Sequence, residues 1–193
     1  MTRRVDQPRA KFCPNCGKPT QSVFTGGRHR DTCPECGFIQ YATYSFGVGA
    51  LVLRDETVLL VERGIPPIGV WTIPGGFLEQ EDDVYTAVQR EVYEEASLNV
   101  TPQGIVIVRN RVDANRNDMY IVMLCEALPD QQPVPDGRES TQACFVHPHD
   151  FDDMNISVFT RWVVEHYLAH RPSPMQMMTV PGYRSDAIIF GNI

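Results

Sequence analysis

The sequence predicts an α/β fold preceded by a small cysteine-bearing module. Three observations carry this. Four of the six cysteines fall within the first 36 residues, in two paired clusters. From about residue 43 onward, short Val/Leu/Gly-rich runs alternate with turn residues, as strands do. Two longer stretches, about Asp83–Ser97 and Val158–Ala169, carry the apolar spacing of amphipathic helices.

In chain order, residues 1–10 read as a flexible basic leader and residues 11–41 as the cysteine module. The main domain is expected over residues 43–170 and a C-terminal tail without clear period over 171–193. Ser45–Leu53 and Thr57–Glu62 are expected to be strands joined by a turn at Arg54-Asp55-Glu56. Residues 64–76, rich in Pro and Gly, read as a loop. The first helix follows Glu81 and Asp82, acids that suit a helix N-terminus. Residues 104–112 and 119–127 read as a hairpin, Gln131–Gly137 as loop and Thr141–Val146 as a strand.

The 193 residues suffice for one domain and a small appendage. No apolar run approaches the roughly 18 residues of a membrane span, and the N-terminus lacks the apolar core of a secretory signal. A cytoplasmic protein is expected, with no membrane partner. Charge is uneven: residues 1–40 carry a net +4 and the remainder −11. The acidic body argues against broad nucleic-acid binding, because phosphate contacts need cationic side chains. Arg28, His29 and Arg30 could touch phosphates, although a solvated basic loop explains them as well.

Cys13-Pro-Asn-Cys16-Gly17 and Cys33-Pro-Glu-Cys36-Gly37 present four thiolates from two tight turns. That set completes a tetrahedron around Zn²⁺ and leaves no open position, so the zinc is expected to be structural. Gly17 and Gly37 let the backbone bend around the sulfurs. Cys125 and Cys144 stand alone in apolar stretches and read as ordinary buried thiols.

The segment Gly75-Gly76-Phe77-Leu78-Glu79-Gln80-Glu81-Asp82-Asp83 leads into a helix containing Arg90-Glu91-Val92-Tyr93-Glu94-Glu95. At about 100° per residue, Glu91, Glu94 and Glu95 fall in or beside the apolar arc defined by Val84, Ala87, Val88 and Leu98. Partly buried like charges at about 6 Å repel by roughly 3 kcal/mol per pair at an effective dielectric near 20. A divalent cation removes the conflict, and oxygen ligands suit Mg²⁺ or Mn²⁺.

These residues resemble the Nudix box, in which Gly, five residues, Glu, seven residues and Arg-Glu-apolar-x-Glu-Glu-x-Gly-apolar follow in order. Gly76, Arg90, Glu91, Val92, Glu94, Glu95 and Leu98 are in register, and four fixed charges coincide by chance roughly once in 10⁵ starts. The approach Gly69-Val-Trp-Thr-Ile-Pro-Gly-Gly76 and the strand Val58-Leu-Leu-Val-Glu-Arg63 are similar to the family as well. Asp82 replaces the box glutamate, Ser97 its late glycine, and Glu81 the glycine often found before the glutamate.

The resemblance implies a Nudix α/β/α sandwich with a mixed sheet, preceded by a small zinc ribbon. It implies divalent-metal-dependent hydrolysis of a nucleoside diphosphate linked to another moiety. Glu91, Glu94, Glu95 and a carbonyl of Gly75 or Gly76 would hold Mg²⁺ or Mn²⁺. Arg90 would orient a box glutamate. Asp82 would contact the metal indirectly or position water, as would Glu79, and Glu139 would bind metal or act as base. Arg63 would hold a phosphate, while Trp71 and Phe77 could stack on a base, although core packing suits both better. Glu81 and Asp83 read as solvated charges. The partner is a nucleoside diphosphate-type small molecule, and the chain is free to form a homodimer.

The proline-rich signature of NADH pyrophosphatases is absent after the box. The chain is more similar to zinc-ribbon members acting on ADP-ribose or FAD, with AMP released. NADH pyrophosphatase activity is an alternative, as is a non-catalytic ADP-ribose sensor whose ribbon binds nucleic acid.

Overall fold

A computed structural model of the chain describes residues 10–41, 44–112, 117–179, 181 and 187–192. Most of the basic leader therefore lies outside the described residues, as does most of the hairpin loop. The chain divides after Tyr44 into two compact units.

The N-terminal unit is a three-stranded antiparallel sheet, β1 (Gln21–Thr25), β2 (Arg28–Thr32) and β3 (Ile39–Gln40). Each Cys-x-x-Cys turn closes in the same way. Gly17 donates its N–H to the Cys13 carbonyl and Gly37 donates to that of Cys33. Both glycines have left-handed φ, 71° and 74°, which residues with side chains seldom adopt.

The second unit is built on a mixed seven-stranded sheet. Its main strands are β4 (Tyr44–Arg54), β5 (Thr57–Arg63), β8 (Val100–Val112), β9 (Asn117–Ala127) and β10 (Ser140–Val146), in spatial order β10-β5-β4-β9-β8. Two short strands, β6 (Trp71–Thr72) and β7 (Gly75–Phe77), pair antiparallel with β5 and β4. The Pro/Gly-rich stretch expected to be loop thus returns twice to the sheet. The reason is hydrogen bonding: a buried loop would strand its amides, and pairing with β4 and β5 satisfies them.

Alternation along the strands sorts the core into two layers. Val48, Ala50 and Val52 of β4, Leu59 and Val61 of β5, and Met123 and Cys125 of β9 face helix α1 (Val84–Ala96). Leu51, Val58, Leu60 and Val122 face helix α2 (Val158–His170) and Phe151 of a preceding 3₁₀ turn. Strands buried on both faces read as continuous apolar runs, which is how this segment looks in sequence. Cys125 is buried and Cys144 only partly so.

The first helix lies within the expected bounds, but Asp83 has a structural task as well as a solvated side chain. It is the N-cap, accepting from Tyr85 and Thr86 N–H at 2.8 and 2.9 Å. The sheet also extends further than its sequence suggests, β8 starting at Val100. The C-terminal stretch forms a small ribbon of β11 (Gln176–Met178) and β12 (Ile189–Gly191), held to β8 by reciprocal Ile105–Met175 backbone bonds. Among the described residues no helix is long and apolar enough to cross a membrane.

Candidate active site

The site lies where β7 runs beside α1. Pairing of Gly75 and Gly76 with Gly49 and Val48 of β4 fixes the backbone. The space between this strand and the helix is filled by carboxylates. Glu95 accepts from the Gly75 N–H at 2.9 Å. A Cβ at Gly76 would collide with the Glu91 carboxyl group. Glycine here makes room for a carboxylate against bare backbone.

Glu91 and Glu95 are 8% and 7% exposed, rare for glutamates unless paired. Burial pushes the Glu95 carboxyl up to about 7, against the Gly75 hydrogen bond, and Glu91 adds repulsion. Burial likewise raises Glu91, although Arg90 beside it pulls the other way. Glu139, an exposed loop residue, adds its charge to both.

Arg90 gathers the remaining charges. Its Nε and Nη2 donate to Asp82 Oδ2 at 3.1 and 2.9 Å, and Nη2 also donates to the Phe77 carbonyl. Its Nη1 donates to Glu91 at 2.8 Å and to Glu94 at 3.2 Å. Asp82 therefore spends its reach on Arg90. Glu94, on the outer side of the helix, also turns to this arginine.

The Glu139 loop is held by Asp136, whose carboxylate accepts from the N–H groups of Arg138, Glu139 and Ser140. Burial alone would raise Asp136, but these backbone donors, that of Ser140 first, hold it down to about 2. The buried Ser140 hydroxyl donates to the Glu95 carbonyl at 2.6 Å, tying loop to helix. Arg63 ends β5 half-buried, its Nη2 donating to the Pro66 carbonyl. Its Nε is buried without a hydrogen-bond partner among the described residues, and its charge lowers Glu95.

Trp71 sits in β6, half-buried against the α2-side core. Phe77 does not pack into a core: it is 63% exposed at the end of β7. Its alternation along β7 puts the ring outward once Gly76 faces the helix.

Sequence reasoning missed Tyr120. Its ring lies on β4 where Gly47 and Gly49 leave the strand bare, and its hydroxyl end reaches Gly75. The signal was available: two glycines at i and i+2 on one strand face mark the close approach of something flat.

In the N-terminal unit the four sulfurs all lie within 4.8 Å of one another. Cys13–Cys36 and Cys16–Cys33 are separated by 3.7 and 3.5 Å. Four sulfurs bonded to one zinc at about 2.3 Å stand about 3.8 Å apart, so the set is preformed. The Phe38 backbone N–H, then the Asn15 amide, pull the Cys36 thiol down, while Cys16 beside it, despite the Lys18 backbone N–H, is pushed up by its neighbouring sulfurs, so without a cation the four do not ionise together. Among the described residues this is the only group with three or more ligand atoms so closely convergent.

The model of the Nudix domain matches residues 43–165, and that of the Nudix N-terminal zinc ribbon matches residues 11–42. The chain belongs to the Nudix family. It is 37% identical over 92 residues to the NAD-capped RNA hydrolase NudC of Pseudomonas aeruginosa, covering 47% of this chain and 32% of that one. Over 92 residues it is 32% identical to NudC of Stutzerimonas stutzeri, covering 48% and 33%. The chain spans about a third of the length of these curated relatives. Among solved structures it is similar to a Nudix hydrolase from Nitrosomonas europaea, 26% identical with a TM-score of 0.73, over 86% of this chain and 95% of that one.

Proposed function

We propose that this protein hydrolyses the pyrophosphate bond of a nucleoside diphosphate linked to another moiety, ADP-ribose or FAD in first place, and releases AMP. The observation that carries the reading is the burial of Glu91 and Glu95 against the Gly75–Gly76 backbone. Two buried carboxylates side by side are unfavourable as a structural device and suit a cation bound with the substrate.

The donor set is hard oxygen throughout, which fits Mg²⁺ or Mn²⁺ held by Glu91, Glu94, Glu95 and a Gly75 or Gly76 carbonyl. Such an ion supplies charge neutralisation at the diphosphate and a lowered pKa of bound water. The chain's own residues do the rest. Arg90 orients Glu91 and keeps Glu94 close. Asp82 anchors Arg90. Glu139, presented by the Asp136 loop, would bind the metal or take the proton of the attacking water. Arg63 is the cation for a substrate phosphate, its buried Nε still lacking a partner. Phe77, exposed beside the site, is available to stack on a base; Trp71 is left to packing.

A second reading is cleavage of NAD(H) or of NAD-capped RNA, favoured by the 32–37% identity to proteins named for that activity. One experiment separates them. ADP-ribose, FAD, NADH and NAD-capped RNA are incubated in turn with Mg²⁺ or Mn²⁺ in ¹⁸O-water. Hydrolysis between the phosphorus atoms puts label in one phosphate product. Label in a ribose hydroxyl, or inertness toward all four, would overturn the proposal.

A further inference from the structure

Tyr120 lies on β9, outside the box, yet its position is specified by glycines on two other strands. A Cβ at Gly47 would meet the ring at 2.8 Å (Cδ2), and one at Gly49 would meet it at 2.8 Å (Cε1). At Gly75 a Cβ would stand 2.6 Å from the hydroxyl oxygen itself. From elsewhere, Phe159 meets the ring edge-on with centroids 5.9 Å apart. The Arg109 guanidinium lies 5.0 Å from the same ring and 4.7 Å from that of Phe159, and is itself tied to Asp118 at 2.6 Å. The phenol is thus clamped, with its hydroxyl beside the strand that carries the site.

Phenylalanine would fill this niche equally well. No hydrogen bond holds the hydroxyl among the described residues, and Tyr120 is only half-buried, so its hydroxyl is open to a partner from outside. A phenol hydroxyl is protonated at neutral pH in any case, with a proton to donate. A phosphoryl oxygen of a diphosphate arriving at this corner of the fold is an acceptor that suits it.

We propose that the Tyr120 hydroxyl is a substrate-binding group, donating a hydrogen bond to a phosphoryl oxygen of the diphosphate held between the Gly75–Phe77 strand and Glu95. This rests on the diphosphate reading above. It adds one fixed donor to a site whose other chain groups are mostly carboxylates, and it places that donor on the sheet rather than on a loop. The substrate's phosphate would thereby be held from the side opposite the helix glutamates.

The test compares the full chain with Tyr120→Phe, which keeps the ring on its glycine floor. Two measurements are made with Mg²⁺: steady-state hydrolysis of ADP-ribose, and calorimetric binding of its uncleavable α,β-methylene analogue. Loss of a hydrogen bond to a charged group predicts a fall in kcat/KM of about tenfold to a hundredfold. The analogue should bind at least about threefold more weakly. Melting temperature and half-saturating Mg²⁺ should be unchanged, which a structural role alone would not give. A variant within twofold of wild type in both measurements overturns the proposal and leaves the function standing. Wild-type protein that binds the analogue but cleaves no diphosphate overturns the function instead, and the binding arm still decides on Tyr120. Absence of both binding and cleavage overturns both.

Discussion

Ser97 ends α1 with φ 53° and ψ 28°, left-handed values that cost a residue with a side chain roughly 1–2 kcal/mol. Its N–H caps the Tyr93 carbonyl at 2.9 Å, so the left-handed helix end is formed here by a residue with a side chain and its strain accepted. Ser97→Gly should raise stability by about 0.5–1 kcal/mol, part of the relief being offset by the entropy of the unfolded glycine. Urea titration of the two proteins checks this, and a destabilised variant would contradict it. Glu95 bears on pH. Its folded pKa, about 7 without metal, exceeds the usual 4.3. The unfolded chain therefore gives up this proton first as pH rises, and metal-free stability is lost between about pH 4.5 and 7. Glu95→Gln should abolish metal-dependent turnover. At pH 8 it should stabilise the metal-free fold by on the order of 1–3 kcal/mol, an advantage that vanishes below about pH 4.5. Melting curves across that range, with chelator present, give the answer. Sequence alone told that these carboxylates lay on an apolar arc. It did not tell that Arg90 would pair with Glu94 and Asp82 at once, because that depends on where Asp82 ends its loop.

The elements that carry the site differ in how visible they were. Helix α1 is marked by its own periodicity and by a local cap, interactions contained within four residues. Strands β6 and β7 are marked by nothing local, since two or three residues offer no period and their pairing partners lie well earlier in the chain. The same holds for β11 and β12, separated by ten residues of chain. The Asp136 loop is likewise a product of side chain to backbone bonding. Its carboxylate, held near pKa 2 against an unfolded value near 3.9, contributes stability that is complete above about pH 4. That stability is lost as pH falls through about 2. Asp136→Asn should lose the same support at neutral pH and flatten the acid limb of the stability profile. It should also lower kcat, because Glu139 is presented by this turn. Denaturation midpoints from pH 2 to 7, read beside turnover at pH 7.5, check both statements.

At the scale of the whole chain, two units with different sources of stability are joined in sequence. The larger rests on two apolar layers. The smaller has few buried apolar side chains apart from Cys13 and Cys33, and a module of that size is held by its metal. Purified protein should contain about one zinc per chain. Cys33→Ser, or a strong chelator, should unfold residues 11–41 while turnover per molecule of folded Nudix domain persists. Zinc analysis, amide exchange of the ribbon and the hydrolysis assay test this together, and loss of turnover with the domain still folded would contradict it. Both units were legible in outline because their signatures are spacings of charged or sulfur-bearing residues. The bare floor of Gly47, Gly49, Gly75 and Gly76 was legible only in part: the spacing of Gly47 and Gly49 marks a close approach, but not which residue makes it. Its consequence concerns heredity more than chemistry. In a saturation scan, several of the least replaceable positions of this protein should be ones with no side chain at all, where even alanine is refused. The lineage can exchange many of its surface charges while those four empty places stay fixed.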